Sequence, residues 1–329
     1  MRRLFLKAAG AVAAGAALHA CGGGGSDDSD TTSVDPPDPN TGTGSSNTAL
    51  GIARASAQHT LLVRAVERAG LTSTLSGGSG MTVFAPTNTA FDELASRIGL
   101  ANGDALISAL TPNQWAAILK FHVVPSEQLS GSQMLAYAAN DTRPVTLYAF
   151  QGDVTRIIFV NESGPLNIWD GCGRSSITLG QTDIAASNGV VHVINDVMLP
   201  RGVLTVSQMI RANFDSMSRF AASLNGSRIA ELDAAGPFTL FVPADPVLST
   251  TLPDNVVLNH IVAGQTLGSG AFPASVVLTT RANVAVTLRN VSPLATLSYG
   301  TSVKARITDV DFFASNGVYH VIDAVMLPS

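Results

Sequence analysis

The chain carries little charge and almost no cysteine. Of its 329 residues, 19 are Lys or Arg and 24 are Asp or Glu, so charged residues make up 13%, against about 25% in typical soluble domains. The net charge is −5, and there is no stripe of Lys and Arg of the kind that binds phosphates, which argues against a nucleic-acid partner. The two cysteines, Cys21 and Cys172, leave no disulfide framework if Cys21 is modified.

The signatures of common enzyme and metal sites are also missing. The sequence has no Gly-x-Ser-x-Gly, His-Glu-x-x-His or Cys-x-x-Cys motif and no Asp-rich calcium loop. The glycine-rich stretch 77–80 is not followed by Lys-Ser or Lys-Thr, so it predicts a loop and not a phosphate cradle. We therefore expect no metal, no cofactor and no catalytic constellation.

Residues 1–21 have the features of an export signal. A basic start is followed by an Ala-rich apolar stretch, 8–20, that is too short to span a bilayer. The run Arg2–Lys7 resembles the twin-arginine export motif, although the general secretory route stays open. Leu18–Cys21 resembles a bacterial lipobox, so Cys21 is the predicted site of lipidation, with a soluble secreted product as the alternative.

Residues 22–47 consist almost entirely of Gly, Ser, Asp, Thr, Pro and Asn, which predicts a disordered tether. A lipid anchor followed by a tether would hold the rest of the chain at the cell envelope, on the periplasmic face or the cell surface. Gly22 directly after the lipobox favours the outer membrane.

The remainder contains three sequence blocks twice, in the same order. They lie at 82–88 and 239–245, at 118–124 and 256–262, and at 182–200 and 308–328. Such repetition indicates a duplicated domain, and we predict domains at 48–200 and 201–329. The second is shorter: Pro86 and His122 are 36 residues apart in the first, whereas the equivalent Pro243 and His260 are 17 apart in the second. This difference in spacing indicates an additional helical segment near 91–110 in the first. The very short join at 200–202 predicts that the domains abut.

In this order the blocks resemble those of the fasciclin (FAS1) family over nearly the whole chain after the tether. The resemblance implies an α+β fold in which each domain is a compact antiparallel β-wedge with helices packed at its N-terminal side. Apolar residues at helical spacing in 61–75 and 206–224 agree with it. Thr111–Gln114 has the pattern of a capping box, and Asp245-Pro246 predicts a helix that begins after Asp245.

Repeated polar residues lie within these blocks. Two of the histidines lie on apolar strand faces, where a structural role is expected, and two end apolar runs, where they are expected to brace a loop. An Asn-Gly pair precedes each closing strand and predicts a two-residue hairpin turn, because both residues tolerate positive φ. The strand histidines are His192 and His320, the other two are His122 and His260, and the pairs are Asn188-Gly189 and Asn316-Gly317.

The family resemblance also implies a role in adhesion or binding outside the cell. Its proposed contact motifs include a Tyr-His pair and an Asp-Ile pair. Phe121-His122 and Asn259-His260 lie where the Tyr-His motif would be, but neither pair contains the Tyr. Asp183-Ile184 matches the Asp-Ile motif, and Asp309-Val310 nearly matches it. By resemblance, these eight residues are the candidate contacts for an unidentified envelope or surface protein or a glycan.

Three functional hypotheses follow. The leading one is an exported, membrane-anchored binding protein whose two fused modules contribute to adhesion through avidity. The second is a small-ligand or lipid-binding envelope protein with a pocket between the helices and the wedge. The third is an unrecognised hydrolase that relies on His122 or His260. Cys172 is expected to be a small residue in a turn.

Overall fold

A computed structural model describes residues 47–161, 166–173, 177–291, 294–299 and 302–327. The export signal, Cys21 and nearly all of the tether lie outside the described residues and stay predictions. The described residues belong to one compact unit. We refer to 48–200 as the first half and to 201–329 as the second half; the boundary between them stays a prediction.

The first half begins with helices, two strands lie between later helices, and the other strands follow the last helix. Its helices are α1 Ala49–Ala55, α2 Thr60–Arg68, α3 Thr72–Ser76, α4 Asn88–Ile98, α5 Gly103–Ala109, α6 Pro112–Phe121 and α7 Gly131–Asn140. Its strands are β1 Met81–Pro86, β2 Val123–Val124, β3 Val145–Phe150, β4 Asp153–Arg156, β5 Ile158–Val160, β6 Asn167–Trp169, β7 Ile177–Thr178, β8 Ile184–Ala186 and β9 Gly189–Ile194.

The second half repeats this order with fewer helices. Its helices are α8 Val206–Ala212, α9 Phe214–Ser223, α10 Gly226–Asp233 and α11 Asp254–Val257. Its strands are β10 Phe238–Pro243, β11 Ile261–Ala263, β12 Ser275–Thr279, β13 Ala285–Arg289, β14 Thr296–Tyr299, β15 Ser302–Ala314 and β16 Gly317–Ile322. Short 3-10 turns replace α4 and α7, at Asp245–Val247 and Ser269–Ala271. The additional helical segment predicted near 91–110 corresponds to α4 and α5.

Local chemistry sets where the helices begin and end. The predicted capping box is confirmed: the Thr111 side chain accepts from the Gln114 N–H, and the Gln114 side chain accepts from the Thr111 N–H. The helix predicted over 61–75 is interrupted because Gly70, at φ +68°, adopts a left-handed conformation between α2 and α3. The helix predicted over 206–224 is interrupted at Asn213, whose ψ of 64° is not helical.

The prediction that Asp245 caps the helix following it is wrong. Asp245 lies inside the 3-10 turn. α9 is interrupted at Met217, whose φ of −135° is not helical, and the Asp245 carboxylate accepts the N–H groups of the next two residues, Ser218 and Arg219, each at 2.9 Å. Asn88 has the same place in the first half, where its Oδ1 accepts the Leu61 N–H of α2 at 2.9 Å. Each side chain therefore caps a helix that is distant in sequence, which local sequence patterns do not reveal.

The sheets have mixed strand directions. The strand order is β2-β1-β9-β8 in the largest sheet of the first half and β11-β10-β16-β15-β14-β13-β12 in the sheet of the second. The first half also has two small antiparallel sheets, β3-β4 and β5-β6-β7. Most pairs are antiparallel, as expected, but β1 and β9 are parallel, and so are β10 and β16. The two parallel pairs have matching registers, with Met81 opposite Gly189 and Phe238 opposite Gly317. A long crossover through the wedge joins each pair, as parallel strands require.

One apolar core is continuous between the halves, and each wedge has a further core of its own. Phe84 lies in the wedge core of the first half and Phe241 in that of the second. Because the helical cores merge, the halves abut as the short join predicts. The shared core includes Leu50, Val66, Phe91 and Trp115 from the first half and Met209, Phe220, Leu240 and Tyr319 from the second.

Cys172 lies at this junction. It is buried in a turn, as expected, and its carbonyl oxygen accepts from Asn213 Nδ2 at 2.9 Å and from the Tyr319 hydroxyl at 3.0 Å. Two side chains of the second half thus bind one backbone oxygen of the first half.

Candidate functional site

The two closing turns connect each wedge to its helices through one asparagine. Asn188 Oδ1 accepts the Ala49 N–H at the start of α1 at 2.9 Å. Its Nδ2 donates to the carbonyls of Leu75 and Gly77 at the end of α3, at 3.0 and 2.9 Å. The amide therefore satisfies groups that helix ends leave without intrahelical partners. Asn316 repeats the arrangement with Val206 N–H at 2.9 Å, Leu232 O at 2.8 Å and Ala234 O at 2.7 Å.

Each predicted two-residue turn is present, but it lies one residue earlier than the Asn-Gly pair, and the reason for the glycine is different. Ser187 and Asn188 form the two-residue turn, Gly189 is already in β9 opposite Ala186, and none of these adopts positive φ. A Cβ on Gly189 would instead overlap the Met81 carbonyl oxygen of the parallel strand β1. The glycine is therefore required by close backbone approach. Gly317 has the same relation to the Phe238 carbonyl of β10.

His192 is fully buried, and both of its ring nitrogens bind the backbone. Nε2 lies 2.7 Å from the Leu129 carbonyl oxygen and must donate to it, while Nδ1 accepts the Asp183 N–H at 3.2 Å. The ring stacks on Phe84 at a centroid distance of 5.7 Å. His320 repeats this with Leu267 O at 2.8 Å, Asp311 N–H at 3.3 Å and Phe241 at 5.8 Å.

The second histidine pair has the opposite tautomer. His122 Nδ1 lies 2.8 Å from the Ile118 carbonyl oxygen and donates to it, while Nε2 accepts the Met198 N–H at 3.0 Å. His122 follows the last residue of α6, and its hydrogen bond to Met198 connects the segment after β9 to that helix. His260 does the same with Val256 O and Met326 N–H, both at 3.0 Å.

These contacts fix the four imidazoles as neutral structural groups. A ring nitrogen that accepts a hydrogen bond from a backbone N–H must be unprotonated, so protonation would break that bond. Burial also lowers the pKa of His192, His260 and His320, and that of His260 falls to about 4. The arrangement therefore holds four rings in place and leaves no ring nitrogen ready to accept a substrate proton.

We expect acid to destabilise the protein through these rings. The unfolded chain binds a proton at His260 near the ordinary pKa of 6.5, whereas the folded chain resists until about 4. The contribution of neutral His260 to the free energy of unfolding is therefore fully present above pH 6.5. It is lost as the pH falls toward 4, which lowers the free energy of unfolding by about 3 kcal/mol. Urea unfolding at pH 7 and pH 4.5 measures it, with His260→Gln as the control, which should show a smaller pH dependence. Equal pH dependence in both proteins would contradict the assignment.

The aspartate equivalences suggested by the sequence are corrected by the structure. Asp183 has φ +58°, and its Oδ1 accepts the Gly131 N–H at the start of α7 at 2.9 Å. The matching residue in the second half is Asp311, at φ +67°, whose Oδ1 accepts the Ser269 N–H at 2.6 Å. Asp309 lies two residues earlier because irregularities in the β15–β16 pairing absorb the extra length. The repeated Thr-Asp letters therefore align residues that are not equivalent.

Only some of the candidate contact residues reach the surface. Asp183 and Asp309 are exposed, and Ile184 and Val310 are half-buried and pack against apolar cores. The structure does not bring the Asp-Ile and Phe-His candidates together as one surface patch, because the latter group lies below the surface. The buried candidates are Phe121, His122, Asn259 and His260, none more than 3% exposed.

A cleft of about 530 Å³ lies at the junction of the halves, and not between the helices and the wedge of one half as the small-ligand hypothesis expects. Phe150 and Gly202 line one side, and Pro237, Phe313 and Asn316 belong to the other. Phe150 and Phe313 pack at a centroid distance of 5.8 Å. The cleft is open to solvent.

Within the described ranges, no group of three or more His, Cys, Asp or Glu residues is placed to hold a metal ion. The helices of the same ranges include none with the length and apolar character needed to cross a membrane.

Comparison with known proteins identifies the family. The sequence profile of the fasciclin domain matches residues 57–200 and 215–328. The chain belongs to the fasciclin-domain family. Its α+β fold is thus that of a tandem fasciclin pair, and the repeated Asn, Gly and His residues are features of both fasciclin domains in this chain.

Two curated proteins are similar over about one domain's length, and a solved domain pair is similar over most of the chain. Transforming growth factor-beta-induced protein ig-h3 of Sus scrofa is 32% identical over 158 residues, 48% of this chain but 20% of its own length. Protein sll1483 of Synechocystis is 30% identical over 159 residues, 48% of this chain and 76% of its own. A solved FAS1 domain pair from the insect cell adhesion molecule fasciclin I matches 82% of this chain and 96% of its own, with 16% identity and a TM-score of 0.40.

Proposed function

We propose that this fasciclin-domain protein is an exported, membrane-anchored binding protein that mediates attachment to an envelope or surface protein or a glycan, and that it is not an enzyme. The observation that carries the proposal is the state of the four repeated imidazoles. Each has both ring nitrogens bound to backbone groups. The same contacts recur in both halves, as expected for residues that maintain a duplicated scaffold.

This arrangement weighs against the hydrolase hypothesis. A general base must accept a proton from a nucleophile or water within hydrogen-bond reach. His122 Nε2 and His260 Nε2 already accept the N–H groups of Met198 and Met326, and both rings are buried. Using either as a base would require breaking the contact between the last segment of its domain and the preceding helix.

Family membership supports a binding role outside the cell, since the fasciclin-domain relatives include extracellular adhesion proteins. In this chain the Phe-His and Asn-His candidates are buried, so a binding partner would contact other side chains, which are exposed. Asp183 and Asp309 are the exposed members of the candidate set. A small ligand, if one binds, has the junction cleft beside Phe150 and Phe313 available to it.

The proposal is tested by a binding screen of residues 48–329 against envelope proteins and glycans from the source organism. Both halves must be kept together because they share one core. A double variant, Asp183→Asn and Asp309→Asn, tests the exposed candidates, and Asp153→Asn, an exposed position on β4, is the matched control. We expect reproducible binding of at least one protein or glycan, weaker binding by the double variant, and unchanged binding by the control variant. The absence of any protein or glycan ligand, together with turnover in ester or glycoside assays, would overturn the proposal.

Lipidation at Cys21 is tested separately. If the acyl chains hold the protein to the membrane, Cys21→Ser should move most of it from the membrane fraction to the soluble envelope or medium fraction. Cys172→Ala is the control, because that residue is buried at the junction of the halves and should leave the fractionation unchanged. Immunoblots of separated fractions measure the effect, and a Cys21→Ser protein that stays with the membrane would contradict the anchor.

A further inference from the structure

The free edge of the second wedge is an unusually unprotected strand. β12, Ser275–Thr279, is the last strand of its seven-stranded sheet, and among the residues that the structure describes it pairs only with β13. It contains no charged residue, no proline and no irregularity in its register with β13. Natural edge strands usually carry such features because an open edge is a template for pairing with another chain.

The hydrogen-bond register shows which backbone groups the edge presents. The Thr280 N–H donates to the Val284 carbonyl, and the Asn290 N–H donates to the Ala274 carbonyl, so even-numbered residues bind toward β13. Antiparallel pairs alternate, so the N–H and C=O groups of the odd-numbered residues point away from the sheet. These residues are Ser275, Val277 and Thr279, and all three are exposed.

The strand is also self-complementary. If two copies pair antiparallel about a two-fold axis at Val277, that residue faces its own copy and Ser275 faces Thr279 of the other chain. Every outward N–H and C=O of the three residues then has a partner, which gives about six intermolecular hydrogen bonds. Val277 is 64% exposed, so the apolar surface at the centre of the contact is available for burial. No like charges are brought together.

The first half uses the corresponding element for a contact with a neighbouring domain. Its hairpin β3–β4 follows β2 as β12–β13 follows β11, and Phe150 at the end of β3 packs on Phe313 of the second half. In the second half, the outer edge of β12 is paired with no strand among the described residues, because its sheet partner there is β13 alone. A second copy of the chain is therefore the occupant that this edge fits.

We propose that two copies of this protein associate through antiparallel pairing of their β12 strands. The contact is independent of the proposed partner binding, because it is observed with the purified chain alone. A five-residue edge buries less area than the ~800 Å² per partner of a standard interface, so the dimer is weak in solution. Copies held on one surface would associate more strongly through their effective concentration.

Cysteine cross-linking of the full chain in a Cys21→Ser background tests the pairing and its register. Val277→Cys should form a disulfide-linked dimer at least about tenfold faster than Val303→Cys. The control position is a valine of similar exposure, 55%, that lies away from the β12 edge and pairs with Ser298 of β14. A mixture of Ser275→Cys and Thr279→Cys chains should cross-link, whereas Ser275→Cys alone should not, since its two copies would lie ~14 Å apart along the strands.

Sedimentation gives an independent reading without cysteines. The weight-average mass of the otherwise unmodified chain should rise with concentration, and Val277→Lys should abolish the rise while Val303→Lys leaves it intact. Equal cross-linking at positions 277 and 303 would overturn the proposal. So would a Ser275→Cys and Thr279→Cys mixture that cross-links no better than either chain alone, or a self-association unaffected by Val277→Lys.

Discussion

Replacing Gly189 with alanine is expected to cost about 4 kcal/mol or more of folding stability, or to prevent folding. The added Cβ would overlap the Met81 carbonyl oxygen, which is part of the parallel β1–β9 pair. Relief would require the two central strands to separate, and the wedge core lies on those strands. Gly317→Ala should behave alike, because its Cβ would overlap the Phe238 carbonyl oxygen.

Gly226 provides the matched control for both variants. It is the first residue of α10, its φ is not positive, and a Cβ there would meet nothing within 4 Å. Gly226→Ala should change stability by no more than about 0.5 kcal/mol, or raise it slightly by restricting the unfolded chain. Urea midpoints at equal denaturant slope measure all three variants. A Gly189→Ala protein as stable as Gly226→Ala would show that the strands do not approach this closely.

Replacing Asn188 with alanine is expected to destabilise the protein by about 2–4 kcal/mol. The variant leaves the Ala49 N–H and the carbonyls of Leu75 and Gly77 without their partner at a buried site. Asn316→Ala should cost somewhat less, because Asn316 is half-buried and water can reach part of the site. The free energy of unfolding by urea is the measurement.

Two further variants separate the amide's roles. Asn188→Asp keeps an acceptor for Ala49 but removes both donors and places a carboxylate beside two carbonyls, so it should be at least as damaging as alanine. Asn102→Ala removes one exposed helix cap, at the start of α5, and should cost about 1 kcal/mol or less. If Asn188→Ala costs no more than Asn102→Ala, the turn does not connect wedge and helices as described.

Much of the architecture could be predicted because it depends on sequence patterns that are repeated or local. The three blocks predict the family and its α+β fold, and Thr111 and Gln114 mark a helix start by a motif that acts within four residues. The helix in the 91–110 region follows from a difference in spacing between equivalent residues. A structural role for His192 and His320 follows from their place on alternating apolar strands.

The sequence did not predict interactions between distant segments. Asp245 and Asn88 cap helices that precede them by more than 20 residues, and no local motif marks such a contact. Asn-Gly pairs usually indicate a turn with positive φ, but at Gly189 the close approach of β1 decides the residue. The sequence pattern pointed to Asp309 instead of Asp311, because Thr308-Asp309 repeats the letters of Thr182-Asp183. The spacing to the strand histidine would have identified Asp311, since Asp311 precedes His320 by nine residues as Asp183 precedes His192.

The central claim is that the four repeated histidines are neutral structural groups with fixed and opposite tautomers. Long-range nitrogen–proton NMR of the imidazoles at pH 7 tests it most directly, because the two ring nitrogens report which one is protonated. Protons are expected on Nδ1 of His122 and His260 and on Nε2 of His192 and His320, without exchange between tautomers. A ring that averages both tautomers, or that takes up a proton near pH 6.5 while the protein stays folded, would contradict the account.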